Sequence, residues 1–349
     1  MTEYVLIFVQ IILLFSFIIL PYVSKKDVMF GVKMPSIAYN DIEVVKIRKL
    51  FLVQVFALGT IFVGVQYSNN TENILLVLLP ISVIAYSVVY VNANKKMKAV
   101  KATKNYKVSE KTVIDTSFRK RQLIVPATWY LGYLAIFILG VLLAVIKYNG
   151  LPEELVVSVG TSGLVQTMPK ALGIFYLLGI QAGVFLLMIG VQYIIKNAKQ
   201  DISNLDTEAS IERNVKFRYH FSVILYIMGL VIGLVLFSTL MYSFGIIVDK
   251  NLLITFTLLL TFLPVIAIFA YSIRNRQDGS SDSKDDDTID KDDDEYWKLG
   301  MFYFNPKDPS MFVAKRAGIG YTINHAKWQT WVIYFVIIGL IVVAISLGG

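Results

Sequence analysis

The chain has 349 residues, 56% hydrophobic and only 17% charged, against about 45–50% and 25% in ordinary soluble domains. The apolar residues gather into uncharged blocks of about 20, the length that crosses a hydrocarbon core of about 30 Å, which excludes a soluble enzyme and an outer-membrane barrel of alternating strands. The absence of cysteine excludes disulfides and thiolate chemistry, and the net charge of +8 comes without a DNA-binding motif or aromatics interleaved in the basic loops, which excludes nucleic acid as a partner.

Eight apolar segments follow in chain order, near 4–23, 50–68, 73–92, 124–146, 171–195, 219–247, 252–273 and 328–347. A backbone in lipid must satisfy its own hydrogen bonds, so each is read as a helix. The expected fold class is all-α: a polytopic membrane helix bundle of about eight transmembrane helices with both termini extracytoplasmic. The first segment lacks a basic n-region and a small-residue cleavage site, so it is expected to remain as an anchor. Orientation follows from the basic residues: thirty of the 33 fall in loops 1–2, 3–4, 5–6 and 7–8, and only Lys147, Lys170 and Lys250 lie on the other side. The positive-inside rule places those four loops in the cytoplasm.

No Asp, Glu, Lys or Arg lies deep in a span, which argues against an ion-coupled pump and an intramembrane aspartyl protease. Gln10, Gln54, Gln181 and Gln192 are read as interhelical hydrogen-bonding groups. Gly179-x-x-x-Gly183 and Gly229-x-x-x-Gly233 are read as helix-packing faces. Pro80 and Pro264 fall inside spans and are expected to kink them.

In loop 1–2, Phe30-Gly31-Val32-Lys33-Met34-Pro35 precedes Asn40-Asp41, which can cap a short amphipathic helix lying along the inner leaflet. The outer loop at 147–170 is rich in glycine and proline. It predicts a compact cap with a short strand at 155–159, and Glu153 and Glu154 on a solvated edge. Residues 1–273 thus form a seven-helix membrane region. Residues 274–298 carry ten acidic side chains between Asp278 and Glu295, and are expected to form a disordered cytoplasmic linker. A weak electrostatic clasp of this linker onto the basic loop 3–4 is an additional expectation.

Residues 299–349 comprise a turn-rich cytoplasmic motif and the last span. In the motif, Asn305-Pro306 and Asp308-Pro309 mark turns and Phe312-Val313 is an apolar anchor. Lys315-Arg316-x-Gly318-x-Gly320 reads as a turn on the inner face, or as a site for a phosphate or lipid headgroup. His220 and His325 are interfacial and no third ligand accompanies them, so no metal or cofactor is expected.

The stretch from Phe30 to Pro35 through Asp41, Glu43-Val44 and Arg48-Lys49 resembles the first loop of a group of membrane proteins of unknown function found mainly in Gram-positive bacteria. The stretch from Asn305-Pro306 to Asn324 is similar to their C-terminal signature. Loop 148–170, with Leu151-Pro152, Gly160, Gly163 and Pro169-Lys170, resembles the outer motif shared with the SdpI toxin-immunity and signalling family. Where such loops carry a histidine this chain has Ser158, and where they carry a tryptophan it has Met168. The resemblance implies a multi-pass protein of the bacterial cell membrane linked to envelope stress, peptide-toxin immunity or signalling.

Candidate outer-loop contacts are then Pro152, Glu153, Ser158, Gly160 and Gly163. Candidate contacts for a cytoplasmic partner or lipid are Phe30, Gly31, Lys33, Pro35, Asn305, Asp308, Phe312, Lys315, Arg316, Gly318, Gly320 and Asn324. Expected partners are the bilayer, with anionic lipid at the inner face, and a protein or peptide. A transporter, permease subunit or lipid flippase is the alternative function, and a membrane enzyme the lesser one.

Overall fold

The computed structural model describes residues 2–69, 71–109, 113–159, 165–282 and 287–348. The helices are α1 (Thr2–Ile18), α2 (Leu20–Val23), α3 (Ile42–Ser68), α4 (Glu72–Thr103), α5 (Tyr130–Lys147), α6 (Lys170–Asn197), α7 (Thr207–Ser243), α8 (Lys250–Asn275) and α9 (Trp328–Gly348). Among the described residues, six helices are long and apolar enough to cross a membrane, and these correspond to α3 through α8; α1 and α9 contain shorter apolar stretches. The chain is therefore a mostly helical bundle of membrane-spanning character. Val53, Phe56, Leu142 and Leu186 are exposed on its outer surface, as side chains solvated by lipid tails are.

Local sequence sets the helix starts. The Asp41 carboxylate accepts from the Glu43 N–H at 3.0 Å and opens α3, and the Thr71 hydroxyl accepts from the Ile74 N–H at 3.3 Å and opens α4. No separate amphipathic helix precedes span 2. The chain turns through a short 3-10 segment, Ser36–Asn40, and α3 then runs unbroken to Ser68, because Asp41 caps the spanning helix itself. Pro80 and Pro264 both lie within continuous helices.

Helix α1 packs on α3 and α4, whereas α5, α6 and α8 pack on α7. Close approach rests on missing side chains. A Cβ on Gly59 of α3 would meet Leu14 of α1 at 2.3 Å, and one on Gly233 of α7 would meet the Tyr133 ring of α5 at 2.7 Å. Gly229 faces Met188 of α6 in the same way, whereas Gly179 and Gly183 face open space. Phe8 and Phe15 of α1 meet Phe262 and Phe269 of α8 edge-on, which joins the two halves. The span glutamines divide. Gln54 is exposed, Gln10 accepts from Ser82, and Gln181 donates to the Gly233 carbonyl. Gln192 exchanges two hydrogen bonds with Ser222 of α7.

The loop between α5 and α6 forms an antiparallel hairpin of β4 (Glu154–Val159) and β5 (Val165–Pro169). Leu155 and Val157 turn down into a core with Ile174, Leu177 and Leu240. Gly173 admits them, since its Cβ would lie 3.2 Å from that of Leu155.

The opposite ends of the helices carry short strands: β1 (Val28–Met29), β2 (Val32–Lys33), β3 (Lys107–Val108), β6 (Thr288–Ile289), β7 (Trp297–Lys298), β8 (Phe302–Tyr303), β9 (Phe312–Ala314) and β10 (Tyr321–Ile323). The expectation of a disordered linker over 274–298 describes neither residues 274–282, where α8 runs to Asn275 and a 3-10 segment spans Gln277–Asp282, nor residues 287–298. There β6 pairs with β3 of loop 3–4 in parallel register, Lys107 opposite Thr288, and a 3-10 turn at Asp294–Tyr296 leads into β7. Composition predicts self-repulsion, but cations from distant loops neutralise the run. Residues 283–286 of the same segment lie outside the described residues.

Candidate functional site

Two glycine turns meet back to back at the centre of this face. The β1–β2 hairpin turns at Phe30 and Gly31, with φ of +49° and +77°, and the β7–β8 hairpin turns at Leu299 and Gly300, with φ of +55° and +73°. Tight hairpins favour positive φ at both central residues, which glycine adopts without strain. A Cβ on Gly31 would fall 2.2 Å from the Gly300 carbonyl oxygen, so the backbones cross in contact. The Asn94 amide at the inner end of α4 donates to the Phe30 carbonyl at 2.6 Å. The Phe30 ring lies 4.9 Å from that of Phe51 and anchors the hairpin between α3 and α4.

Ion pairs bind the four basic loops to one another. Lys25 from loop 1–2 meets Asp201 from loop 5–6 at 2.5 Å and Asp278 from loop 7–8 at 3.1 Å. Burial disfavours a charged Lys25, but Asp201, Asp278 and Asp27 outweigh it and hold its ammonium above the usual lysine value. Lys25 in turn drives the Asp201 carboxyl far below the carboxylate range, with Lys33 and Arg316 assisting. Lys101 at the end of α4 meets Asp292 at 2.8 Å and Asp294 at 2.7 Å. The acidic segment therefore does contact loop 3–4, through specific pairs and strand pairing.

Arg316 is buried, pairs with Asp293 and Asp294, donates to the Gly31 carbonyl at 2.7 Å, and lies 5.0 Å over the Trp297 ring. Lys33 is buried and paired with Asp27, while its N–H donates to Asp294 at 3.0 Å. Pro35 is buried beside it.

The C-terminal motif is a second buried network. The Asn324 side-chain Oδ1 accepts from the Asn305 backbone N–H at 3.0 Å, and its Nδ2 donates to the Asn305 backbone carbonyl at 2.8 Å. Asn305 accepts from the Lys307 and Asp308 N–H groups. Asp308 accepts from the Tyr303 hydroxyl at 2.7 Å, from the Ser310 N–H at 2.9 Å and from Lys199. Burial opposes its ionisation, but these donors outweigh it and hold its carboxyl at about 2. Phe312 is buried, and its carbonyl accepts from the Lys199 N–H. The Gly318 N–H donates to Ser24 Oγ at 3.0 Å and the Gly320 N–H to Gln277 Oε1 at 2.7 Å, so the Gly-x-Gly turn is occupied by protein acceptors. His325 sits between the Tyr303 carbonyl and the Tyr334 hydroxyl.

The sequence-predicted cytoplasmic residues thus converge, and most serve as structure: of the set, Lys315 alone is exposed. The outer candidates do not join them. Pro152 and Glu153 are exposed at the hairpin base, with Glu153 3.1 Å from Lys170. Ser158 is half-buried on β4, and Gly160 and Gly163 lie outside the described residues. Sequence reading missed Lys25, Lys199, Asp201 and Arg218, which look like ordinary loop charges. Arg218 is among the largest fully buried side chains of the described residues, and its guanidinium donates to the backbone carbonyls of Ile195, Ala198 and Lys199.

Two cavities open among these charges. One of about 180 Å³ lies between Lys25, Asp27, Asp206, Arg213 and Asp290. The other, of about 80 Å³, lies between Lys199, Lys291, Trp297 and Lys315. Among the described residues no cluster of three or more His, Asp or Glu has the placement to hold a metal ion.

Residues 306–331, from the second network into the start of α9, match a family of unknown function (DUF5808). No curated protein and no solved structure matches the chain.

Proposed function

We propose that this is a non-enzymatic protein of the bacterial cell membrane that acts by binding a partner at a rigid inner-face unit. The observation that carries the reading is the convergence of loops 1–2, 3–4, 5–6 and 7–8 into one folded body through Lys25–Asp201, Lys25–Asp278 and Lys101–Asp294. Loops that touch one another share a membrane face, which supports eight spans with both termini outside. The same loops hold most of the basic residues, so that face is the cytoplasmic one under the positive-inside rule.

A body built from buried pairs holds its surface in one geometry, which suits recognition more than chemistry. The glutamines Gln10, Gln181 and Gln192 are committed to neighbouring helices, and no span carries a deep ionised side chain, so the bundle offers no ion path. The link to peptide-toxin immunity and envelope stress rests on the resemblance of loop 148–170 to the outer motif of SdpI-like proteins. In this reading the β4–β5 hairpin meets a peptide outside while the inner unit meets a protein partner.

Mild-detergent purification from native membranes, with mass spectrometry of what co-purifies, tests the proposal. A stoichiometric protein partner that is lost on replacing exposed inner-face residues supports it. Substrate flux by the pure protein in liposomes, with no partner retained, overturns it in favour of transport.

A further inference from the structure

The smaller inner cavity differs from the rest of the unit in its unsatisfied groups. Six cations line it, but four are committed within the protein: Lys25 to Asp201, Lys33 to Asp27, Lys199 to Asp308 and Arg316 to Asp293. Lys291 and Lys315 are not. Among the described residues neither ammonium has an ion pair or a hydrogen bond. Trp297, a residue 4% exposed, also lines this cavity, and its indole N–H is buried without an acceptor.

An indole nitrogen can only donate, and so can an ammonium. A buried donor without a partner costs about 1–3 kcal/mol, and groups of this kind call for a missing acceptor. The buried indole lacks an acceptor and the two exposed ammoniums lack a counter-charge, so an acceptor-rich anion would complement all three. The cavity, of about 80 Å³, has room for a tetrahedral oxyanion.

We propose that the cavity bounded by Lys291, Lys315 and Trp297 binds a phosphate group. It is carried by an anionic lipid headgroup at the inner leaflet or by a free phosphate of the cytoplasm. The site stands on geometry alone and does not depend on the partner-binding reading. It also differs from the one that motif reading suggests. The Gly318-x-Gly320 amides are occupied and Arg316 is locked, so Lys315 is the residue of that motif left to meet a ligand.

The test uses the full chain in a neutral detergent. Calorimetric titration with inorganic phosphate is compared with acetate and chloride at matched ionic strength. In a second arm, the chain in phosphatidylcholine nanodiscs doped with phosphatidic acid is analysed by native mass spectrometry for retained lipid. Lys291→Gln and Lys315→Gln change exposed, unpaired residues and should leave the melting temperature in place. Each should weaken binding about tenfold, the loss of one charge-assisted hydrogen bond. Lys315→Arg keeps the charge and should keep binding.

Saturable phosphate binding that falls in the glutamine variants supports the site and assigns a soluble ligand. Retention of phosphatidic acid that falls in the same variants, without binding of free phosphate, supports it and assigns a headgroup. Binding unchanged in both variants, acetate competing as well as phosphate, or no binding in either arm overturns it.

Discussion

Replacing Arg218 by leucine should be among the most damaging single changes outside the spans. Its Nη1 donates to the carbonyls of Ile195 at 3.0 Å and Ala198 at 2.9 Å, and its Nη2 to that of Lys199 at 2.8 Å. Its Nε donates to Asn214 Oδ1 at 2.8 Å, one turn earlier on α7. Phe118 and Tyr321 stack on the guanidinium at 4.9 and 5.4 Å. The cation thus closes the C-terminus of α6, where carbonyls lack helical partners and the helix dipole is negative.

Three carbonyls left without donors cost about 1–3 kcal/mol each. Relief of the buried guanidinium's desolvation offsets part of that total. The net expectation for Arg218→Leu is about 4 kcal/mol, or a melting point lower by roughly 8–16 °C at about 2–4 °C per kcal/mol. Arg218→Lys retains the charge but cannot fork to three carbonyls, and should recover less than half of the loss. Thermal unfolding in neutral detergent followed by circular dichroism measures both variants. A lysine variant as stable as the parent, or a leucine variant shifted by less than about 2 °C, would refute the clamp.

Three further outcomes follow from the same structure. Gly31→Ala should abolish the folded inner unit, because the Cβ strikes the Gly300 backbone at positive φ, whereas Gly64→Ala, which faces open space, should be tolerated; limited proteolysis of loops 1–2 and 7–8 distinguishes them. Gly233→Ala should lower the melting temperature through its clash with Tyr133 while Gly179→Ala leaves it unchanged; equal effects would show that helix proximity does not set the tolerance. Asp308 has its carboxyl lowered from 3.8 to about 2, so its contribution is complete above pH 3.8 and is lost as pH falls through 2. That contribution is roughly 2 kcal/mol, and Asp308→Asn should flatten this acid limb of the stability profile; an unchanged limb would count against the pairing with Lys199.

Hydropathy alone locates the helices, because a span announces itself in about 20 consecutive residues. The strand expected at 155–159 coincides with β4, and Asp41 caps a helix as its position before an apolar run suggests. The inner unit was not legible in the same way. Lys25 and Asp201, or Gly31 and Arg316, belong together only after the helices have been bundled, and no local pattern marks them. The acidic run shows the failure most clearly. Composition reads Asp292, Asp293 and Asp294 as mutually repelling, which is correct for the isolated segment. The fold supplies Lys101 and Arg316 from either side, and the segment becomes ordered. The Lys315-Arg316 pair divides similarly: the sequence offers two cations, and burial commits one to the scaffold and leaves the other exposed.

The crossing of the Gly31 and Gly300 turns also has a bearing on biogenesis. The Gly31 carbonyl finds its guanidinium 285 residues later, and the Ser24 hydroxyl finds the Gly318 amide 294 residues later. Lys25 emerges from the ribosome long before Asp201 and Asp278 exist to meet it. During synthesis the first loop must therefore wait, hydrated and open, while helix after helix enters the bilayer. This face can close only when the final segment arrives, so a chain cut short anywhere before residue 316 would leave the Gly31 carbonyl, Asp293 and Asp294 without their guanidinium.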